Sequence, residues 1–390
     1  MTLHAVIIGA GSTGAAVAHD LTLRGYRVTV VERGEVACET TGRNHGLLHS
    51  GARYVLNDPP AARECAEDNA LMRKLMPGIL ELNGGLFVAL NEEDLSYKDA
   101  FLEACAQAGV PAEEIPVQEA LRLEPNLNPR ILAAVKVQDG VFDPFHFTLA
   151  FLATAKQHGA VVHTYTEVID LLWNGRSVGG VKVRDRRDGR EYAIGADLVV
   201  NAAGPWAGRI GAMAHVDIAV LPVAGTMVAV GRRWVRRVIN RLCPPCDGGI
   251  IVPQRRNSVV GTTSWPVENP DYIAIPPEQV EAMLAAGEEF IPGFRSAPLR
   301  GISAAARPLL RESSQLVVAD PGARGITRGF SCFNHAGDGA PGLFSLIGGK
   351  TTTSRLMAEV MGDVINEATG ITTPCRTREV PLLPYHAFYV

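Results

Sequence analysis

The chain has 390 residues, 37 basic and 41 acidic, for a formal net charge of −4. That balance excludes a strongly basic nucleic-acid binder, and 47% apolar with 20% charged residues excludes a disordered or fibrous chain. Forty glycines are about 10% of the chain against an average near 7%, with no Gly-X-Y period, so they point to tight turns or to backbone lying close to a ligand. The length predicts two or three domains at roughly 150 residues each, or one large interleaved pair. Seven cysteines, sparse and odd in number, read as reduced thiols of a cytoplasmic protein. The apolar start is short and has no basic leader, so it is not read as a signal peptide. No run of about 18 apolar residues predicts a membrane-spanning helix; peripheral contact with the inner face of a membrane stays open.

The first 32 residues carry the clearest pattern. Ala5 to Ile8 reads as a buried parallel strand. It runs into Gly9-Ala10-Gly11-Ser12-Thr13-Gly14, and an Ala-rich helix follows to about Arg24. Gly25 stops it, and Arg27 to Val31 forms a second strand ending at Glu32. Gly9 permits the tight turn, Gly11 lets backbone approach a pyrophosphate, and Gly14 allows close helix–strand packing. The helix start offers unpaired N–H groups and partial positive charge to phosphates. Glu32, 18 residues after Gly14, is placed to accept from ribose hydroxyls. Strand, turn, helix, strand and acid in register predict an adenine-dinucleotide site.

The next segment decides between NAD and FAD. A loop rich in Gly, Thr and His, Glu39 to Tyr54, interrupts the alternation of strands and helices. Such a loop can lay backbone along a second stretch of cofactor. Asp197 to Ala202 reads as a strand ending in small residues at Ala203-Gly204-Pro205-Trp206. Gly342 to Ile347 reads as a strand, then a Gly348-Gly349 turn, then a helix start. A helix N-terminus there suits the flavin edge that becomes negative on reduction, so FAD is the expected cofactor.

These stretches resemble the FAD-dependent glycerol-3-phosphate dehydrogenases of the D-amino-acid-oxidase-like flavoenzymes, and above all the flavin-bearing large subunit of the anaerobic kind. The likeness rests on Thr41–Tyr54, Ala62-Arg-Glu-Cys65, Asn83-Gly-Gly-Leu-Phe87 and Val135–Gly140 with Asp143-Pro-Phe145. It continues through Val199–Gly204, Gly261-Thr-Thr-Ser264, Ala306-Arg-Pro308 and Gly348–Thr352 with Arg355–Glu359. Similar loops occur in L-2-hydroxyglutarate dehydrogenases, so a 2-hydroxy acid substrate stays open, as does a non-enzymatic flavin-binding scaffold. The resemblance implies an α/β fold: a Rossmann-type FAD-binding domain interleaved with a mostly antiparallel α+β substrate domain. The implied division is 1–75, 145–215 and 320–370 for FAD, 76–144 and 216–319 for substrate, and a tail at 371–390. Strands at Leu86–Leu90, Leu221–Val230, Ile250–Val252 and Ser258–Thr262 and helices at Asp99–Ala108 and Pro276–Phe290 suit that substrate domain.

The resemblance further implies oxidation of sn-glycerol 3-phosphate. Implied cofactor contacts are Gly9, Gly11, Ser12, Thr13, Gly14, Glu32, Arg33, Thr41, Arg43, Asn44, His45, Gly46, Val168, Ala202, Ala203, Gly204, Trp206, Gly348, Gly349, Lys350, Thr351 and Thr352. Arg53, Tyr54, Arg307 and Lys350 are assigned to an anionic polyol phosphate. Arg307 sits among small neighbours that suggest a packed wall with one projecting guanidinium. Lys350 at a helix start is electrostatically unfavourable, which hints at a functional reason. An alcohol oxidation also needs a base for the hydroxyl proton, and His49, His335 and His45 are the candidates. The aerobic enzymes' His in the strand at Gly225-Thr226-Met227 is absent here.

No metal site is expected. Cys243-Pro-Pro-Cys246 lacks two further ligands at close spacing and reads mainly as a stiffened loop. Arg232-Arg-Trp-Val-Arg-Arg237 reads mainly as a solvated face, with contact to anionic lipid or a partner subunit as the alternative. The anaerobic large subunits continue into a Cys-rich region; the only Cys after residue 332 here is Cys375, so no four-Cys cluster is expected in that stretch. For the electron acceptor, a quinone and an electron-transfer partner subunit both stay open.

Overall fold

The computed structural model describes residues 2–310 and 326–390. The domain boundary expected at 319/320 lies outside the described residues. The early elements fall where the sequence puts them: strand His4–Ile8, helix Ser12–Leu23, strand Arg27–Val31.

A six-stranded sheet carries the first layer. Its order is Phe330–Asn334, Leu343–Gly348, Leu198–Asn201, His4–Ile8, Arg27–Val31, Val161–His163. All neighbours pair in parallel except the first two strands, which are antiparallel. Alternate residues of each strand point to opposite faces. Ala5, Ile7, Val28, Val30 and Val200 pack with the helices Ser12–Leu23, Pro144–Gln157 and Ser354–Thr369. Val6, Ile8, Val31 and Val199 pack instead with Val168, Val181 and Val183 of a three-stranded antiparallel sheet. Both faces of the parallel sheet are therefore covered, which is why its strands read as continuous apolar runs.

A nine-stranded sheet forms the other body. Its order is Trp265–Pro266, Val220–Val230, Asn257–Gly261, Ile250–Gln254, Val238–Arg241, Gly85–Ala89, Ala133–Val137, Ala112–Ile115, with Leu299–Leu310 paired along Val220–Val230. Only the Val238–Arg241 and Gly85–Ala89 pair is parallel, so the sheet is mostly antiparallel as the sequence predicts. Helix Pro277–Phe290 covers it through Met283 and Phe290. A small sheet of Leu47–Leu48, Gly140–Phe142 and Leu80–Glu81 joins the bodies, because Leu47 and Val141 share a core with Val238, Ile250 and Val252.

Two surface features are tied down within the chain. The basic run 232–237 is bound within the chain rather than merely solvated. Arg232 lies 3.7 Å over Trp234, Arg233 pairs with Glu81, and the Arg236 and Arg237 amides donate to the Glu124 carboxylate. The C-terminal segment packs on helix Pro144–Gln157, with Tyr385 stacked on His146 at 3.6 Å and Lys156 donating to the Phe388 carbonyl. Among the described residues, no helix is long and apolar enough to cross a membrane.

Candidate active site

The carboxyl ends of the parallel strands open onto a cavity of about 430 Å³ that runs under the nine-stranded sheet. Placement of a ligand at this end follows from the parallel topology. Of the expected cofactor residues, all but Gly14 and Gly46 line it. Those two act behind the wall. A side chain at Gly14 would collide with the Gly9 carbonyl, so the helix can lie tight against the turn. Gly46 has φ of +71° and is wedged against Gln254 and the Phe142 carbonyl.

One end suits an adenine dinucleotide. Gly11 caps helix Ser12–Leu23 with no acid in the first turn; the Ser12 amide donates to Thr41 Oγ1 at 3.1 Å, and the partial positive charge of the helix start faces the cavity, where it suits an anion. A Cβ on Gly11 would lie 3.0 Å from Thr41 Oγ1, and one on Gly9 2.6 Å from the Ala202 carbonyl. The turn thus needs both glycines to keep the cradle open. Glu32 accepts from the Ala10 amide at 2.9 Å and the Gly34 amide at 2.8 Å, and burial pushes its pKa up. Arg33 lies 3.9 Å over the Trp206 ring, and Asp271 ties Arg33, Trp206 and Arg209 together at this rim. Asp271 sits in an irregular loop and gave no signal in the sequence.

The other end is basic. Arg53, Arg307, Arg328 and Lys350 all line it, with His45, His49 and Tyr54. The lining carboxylates, Glu32, Glu39 and Glu167, belong to the Arg33 end. Lys350 precedes the turn Thr351–Thr353; its Nζ donates to the Arg328 carbonyl at 2.7 Å and lies 4.8 Å over the Tyr54 ring. Arg307 donates to the Ala224 carbonyl at 3.2 Å, the Thr263 carbonyl at 3.3 Å and Thr262 Oγ1 at 2.5 Å. Burial and the nearby Arg328 charge lower its pKa to about 10. Arg53 Nη1 is buried with no hydrogen-bond partner among the described residues, while Nη2 reaches the Cys246 carbonyl at 3.4 Å. A buried guanidinium nitrogen without an acceptor is costly unless a ligand supplies one.

The histidines separate by environment. Burial, with the Arg307 and Arg53 charges, holds His45 down to about 3. Burial, then His45, Lys350 and Arg53, holds His49 well below 6.5. Both are neutral at physiological pH. His45 Nδ1 accepts the Leu47 amide at 3.3 Å, which puts the remaining proton on Nε2 and makes that nitrogen a donor. The His49 ring packs 5.3 Å from Tyr54 and 6.2 Å from His45. The loop beneath is pinned: the His49 amide donates to Thr352 Oγ1 at 3.1 Å and the Ser50 amide to the buried Asp139 at 2.8 Å.

His335 does not belong to this group. It is 2% exposed and lies outside the cavity wall. Its Nδ1 meets Asp338 at 2.7 Å and its Nε2 meets Ser345 at 2.9 Å; Ser345 in turn meets Asn201, which accepts from the Ala203 amide. His335 therefore braces the Ala202–Gly204 turn from behind, and the expectation of a base there is corrected. A His next to a strand reads the same whether it faces a cavity or a brace. Arg328 and Gly225 are residues the sequence reasoning missed. A Cβ at Gly225 would collide with the Arg307 guanidinium, and a glycine inside a long strand is the signal that could have found it.

Comparison with known proteins agrees with this geometry. The family model described as FAD dependent oxidoreductase matches residues 4–355. The A subunit of the anaerobic glycerol-3-phosphate dehydrogenase of Escherichia coli is 40% identical over 380 residues, covering 97% of this chain and 69% of that protein. The A1 subunit of the anaerobic glycerol-3-phosphate dehydrogenase of Haloferax volcanii is 41% identical over 387 residues, covering 97% and 66%. Among solved structures, a glycerol-3-phosphate dehydrogenase of Bacillus halodurans complexed with FAD superposes with a TM-score of 0.76 at 23% identity, covering 98% of this chain and 68% of that one. The glycine oxidase of Bacillus cereus does so at 0.72 and 24%, over 94% and 95%, which supports the fold alone. The cavity, its glycine cradle and the match across nearly the whole chain lead to one conclusion: this chain belongs to the FAD dependent oxidoreductase family, among the relatives of the anaerobic glycerol-3-phosphate dehydrogenase A subunits.

Proposed function

We propose that the chain oxidises sn-glycerol 3-phosphate to dihydroxyacetone phosphate. The observation that carries this reading is the convergence of Arg53, Arg307, Arg328 and Lys350 with two neutral histidines at one end of the flavin cavity. Four fixed cations suit a doubly charged phosphate, and the neutral imidazoles suit removal of a hydroxyl proton.

FAD is held by the Gly9–Gly14 turn, Glu32, the Thr41–Asn44 loop, the Ala202–Gly204 turn and the Gly348–Thr352 turn, and when bound it supplies the two-electron acceptor for the hydrogen on the alcohol carbon. The chain's own residues do the rest. Arg53 and Lys350 hold the phosphate, Arg307 is locked by Thr262 and two carbonyls so that it presents one fixed edge, and Arg328 adds charge. The orientation this imposes converts reaction into an effectively intramolecular step. His49 takes the hydroxyl proton on its ring. His45 donates from Nε2 to the same oxygen as charge grows on it. Substrate phosphate neutralises Lys350 and Arg53, the charges that help hold His49 down, so its basicity rises once the site is filled. The relatives from Escherichia coli and Haloferax volcanii are each named as one subunit of their enzyme, and we propose that this chain too passes its electrons to a partner subunit.

Turnover of glycerol 3-phosphate, glycerol and L-2-hydroxyglutarate with an artificial acceptor tests the reading. The phosphate ester should be used at least a hundredfold more efficiently than the other two. A preference for the hydroxy acid would overturn the substrate assignment and keep the carboxylate alternative.

A further inference from the structure

The loop Cys243–Cys246 lies between strands Val238–Arg241 and Ile250–Gln254 and turns its second half into the cavity wall. Pro245 and Cys246 line the basic end beside Arg53. The two sulfurs are 3.0 Å apart and share a hydrogen bond. A disulfide needs ~2.05 Å, so a closer approach of about 1 Å suffices. Two successive prolines limit the backbone freedom of the loop and hold the thiols in apposition. Both cysteines are half-buried, so small reagents reach them, whereas Cys65 and Cys105 are fully buried.

The pair is also wired to Arg53. The Cys246 carbonyl accepts from Arg53 Nη2, and a Cβ at Gly249 would lie 2.7 Å from Cys246 Sγ and 3.1 Å from Arg53 Nη2. Glycine at 249 lets the thiol and the guanidinium crowd together. Movement of Cys246 therefore moves the acceptor that positions Arg53, whose Nη1 has no hydrogen-bond partner among the described residues.

We propose that Cys243 and Cys246 are a reversible dithiol–disulfide site for low-molecular-weight disulfides, and that its oxidation state sets the position of Arg53 and hence anion affinity. One cysteine sulfur attacks the small disulfide, giving a mixed disulfide and releasing one thiol. The second cysteine sulfur attacks the mixed disulfide, forming the Cys243–Cys246 bond and releasing the second thiol. Two cysteine S–H bonds are lost, one S–S bond forms, and the two electrons and two protons leave on the reagent's thiols. An anionic disulfide such as oxidised glutathione is drawn by the basic end of the cavity. Burial pushes up the thiols of Cys332, Cys38 and Cys375, and the hydrogen bond to Cys246 with burial pushes up that of Cys243, so what sets the pair apart is the second sulfur 3.0 Å away, placed to resolve a mixed disulfide.

The test uses the FAD-loaded chain, reduced with dithiothreitol, desalted and exposed to oxidised glutathione. Alkylation after denaturation and peptide mapping should show two of the seven thiols lost first, joined as Cys243–Cys246, and recovered by dithiothreitol. The dissociation constant of inorganic phosphate, read from the flavin spectrum, should shift at least threefold on oxidation. It should stay unchanged in Cys243→Ser/Cys246→Ser treated alike. Seven alkylatable thiols, a persistent glutathione adduct, or oxidation no faster than at Cys38 and Cys332 would overturn the site. A disulfide with an unshifted phosphate constant would overturn the link to Arg53. The phosphate arm rests on the anion-binding reading of the basic end; the thiol arm does not, so the two fail separately.

Discussion

Leu47 donates its amide to Nδ1 of His45 across 3.3 Å, two residues along the same loop. That bond leaves His45 a donor at Nε2 and leaves His49 as the ring available to take a proton. The division of labour is testable. His49→Ala should slow flavin reduction by about 10²–10⁴, the usual range for loss of a positioned base. His45→Gln keeps an N–H donor and should cost about tenfold. Because burial and the surrounding cations hold both rings below the ordinary range, their NMR resonances should remain those of neutral imidazole as pH falls through 6.5. A reversed ranking of the two variants would reassign the base.

Gly225 gives Arg307 its room. Gly225→Ala should displace the guanidinium and raise KM for the phosphate substrate by roughly 10–100-fold, the equivalent of a charged hydrogen bond of about 1.5–3 kcal/mol. Arg307→Ala should act in the same direction, and the double variant should cost less than the sum of the two, since the Arg307 contact is lost once and only the pressure of the new Cβ on the Thr263 carbonyl adds to it. Additive losses would separate Gly225 from Arg307.

His19 is a second neutral histidine, buried between helices Ser12–Leu23 and Pro144–Gln157 against Phe151, and burial holds it to about 3. Between about 3 and 6.5 the unfolded chain binds a proton that the native chain refuses. Its stability contribution is intact above pH 6.5 and falls as pH drops, by about 1.4 kcal/mol at pH 5.5. Denaturant unfolding at pH 7.5 and 5.5 should show that loss shrinking in His19→Leu by about this amount.

Arg355 is 1% exposed and pairs with Asp68 at 2.7 Å and Glu359 at 2.6 Å, joining helix Ser354–Thr369 to helix Pro59–Leu75. Arg355→Ala strands the buried Asp68 carboxylate, while Glu359 keeps Arg378, and should destabilise by about 3–5 kcal/mol, whereas Arg355→Met with Asp68→Leu should recover most of it. Chemical denaturation of the three proteins checks both statements.

The flavin half was legible because its signals are local. The turn at Gly9–Gly14 and the apolar strands at 4–8 and 27–31 each follow from neighbouring residues. The basic end was only partly legible, because it is assembled from four distant segments. Arg53 and Lys350 were found through their motifs, but Arg328 sits in an irregular loop beside no pattern. His335 shows the converse limit. Its role depends on Asp338, Ser345 and Asn201, and only the pairing of strands Phe330–Asn334, Leu343–Gly348 and Leu198–Asn201 brings those together.

The central claim is that this cavity oxidises a phosphate-bearing secondary alcohol. Anaerobic mixing of the FAD-loaded chain with sn-glycerol 3-phosphate measures it in a single turnover. The oxidised flavin absorbance should bleach, with one dihydroxyacetone phosphate formed per flavin, and His49→Ala should bleach far more slowly. An oxidised spectrum that persists at saturating glycerol 3-phosphate would contradict the account.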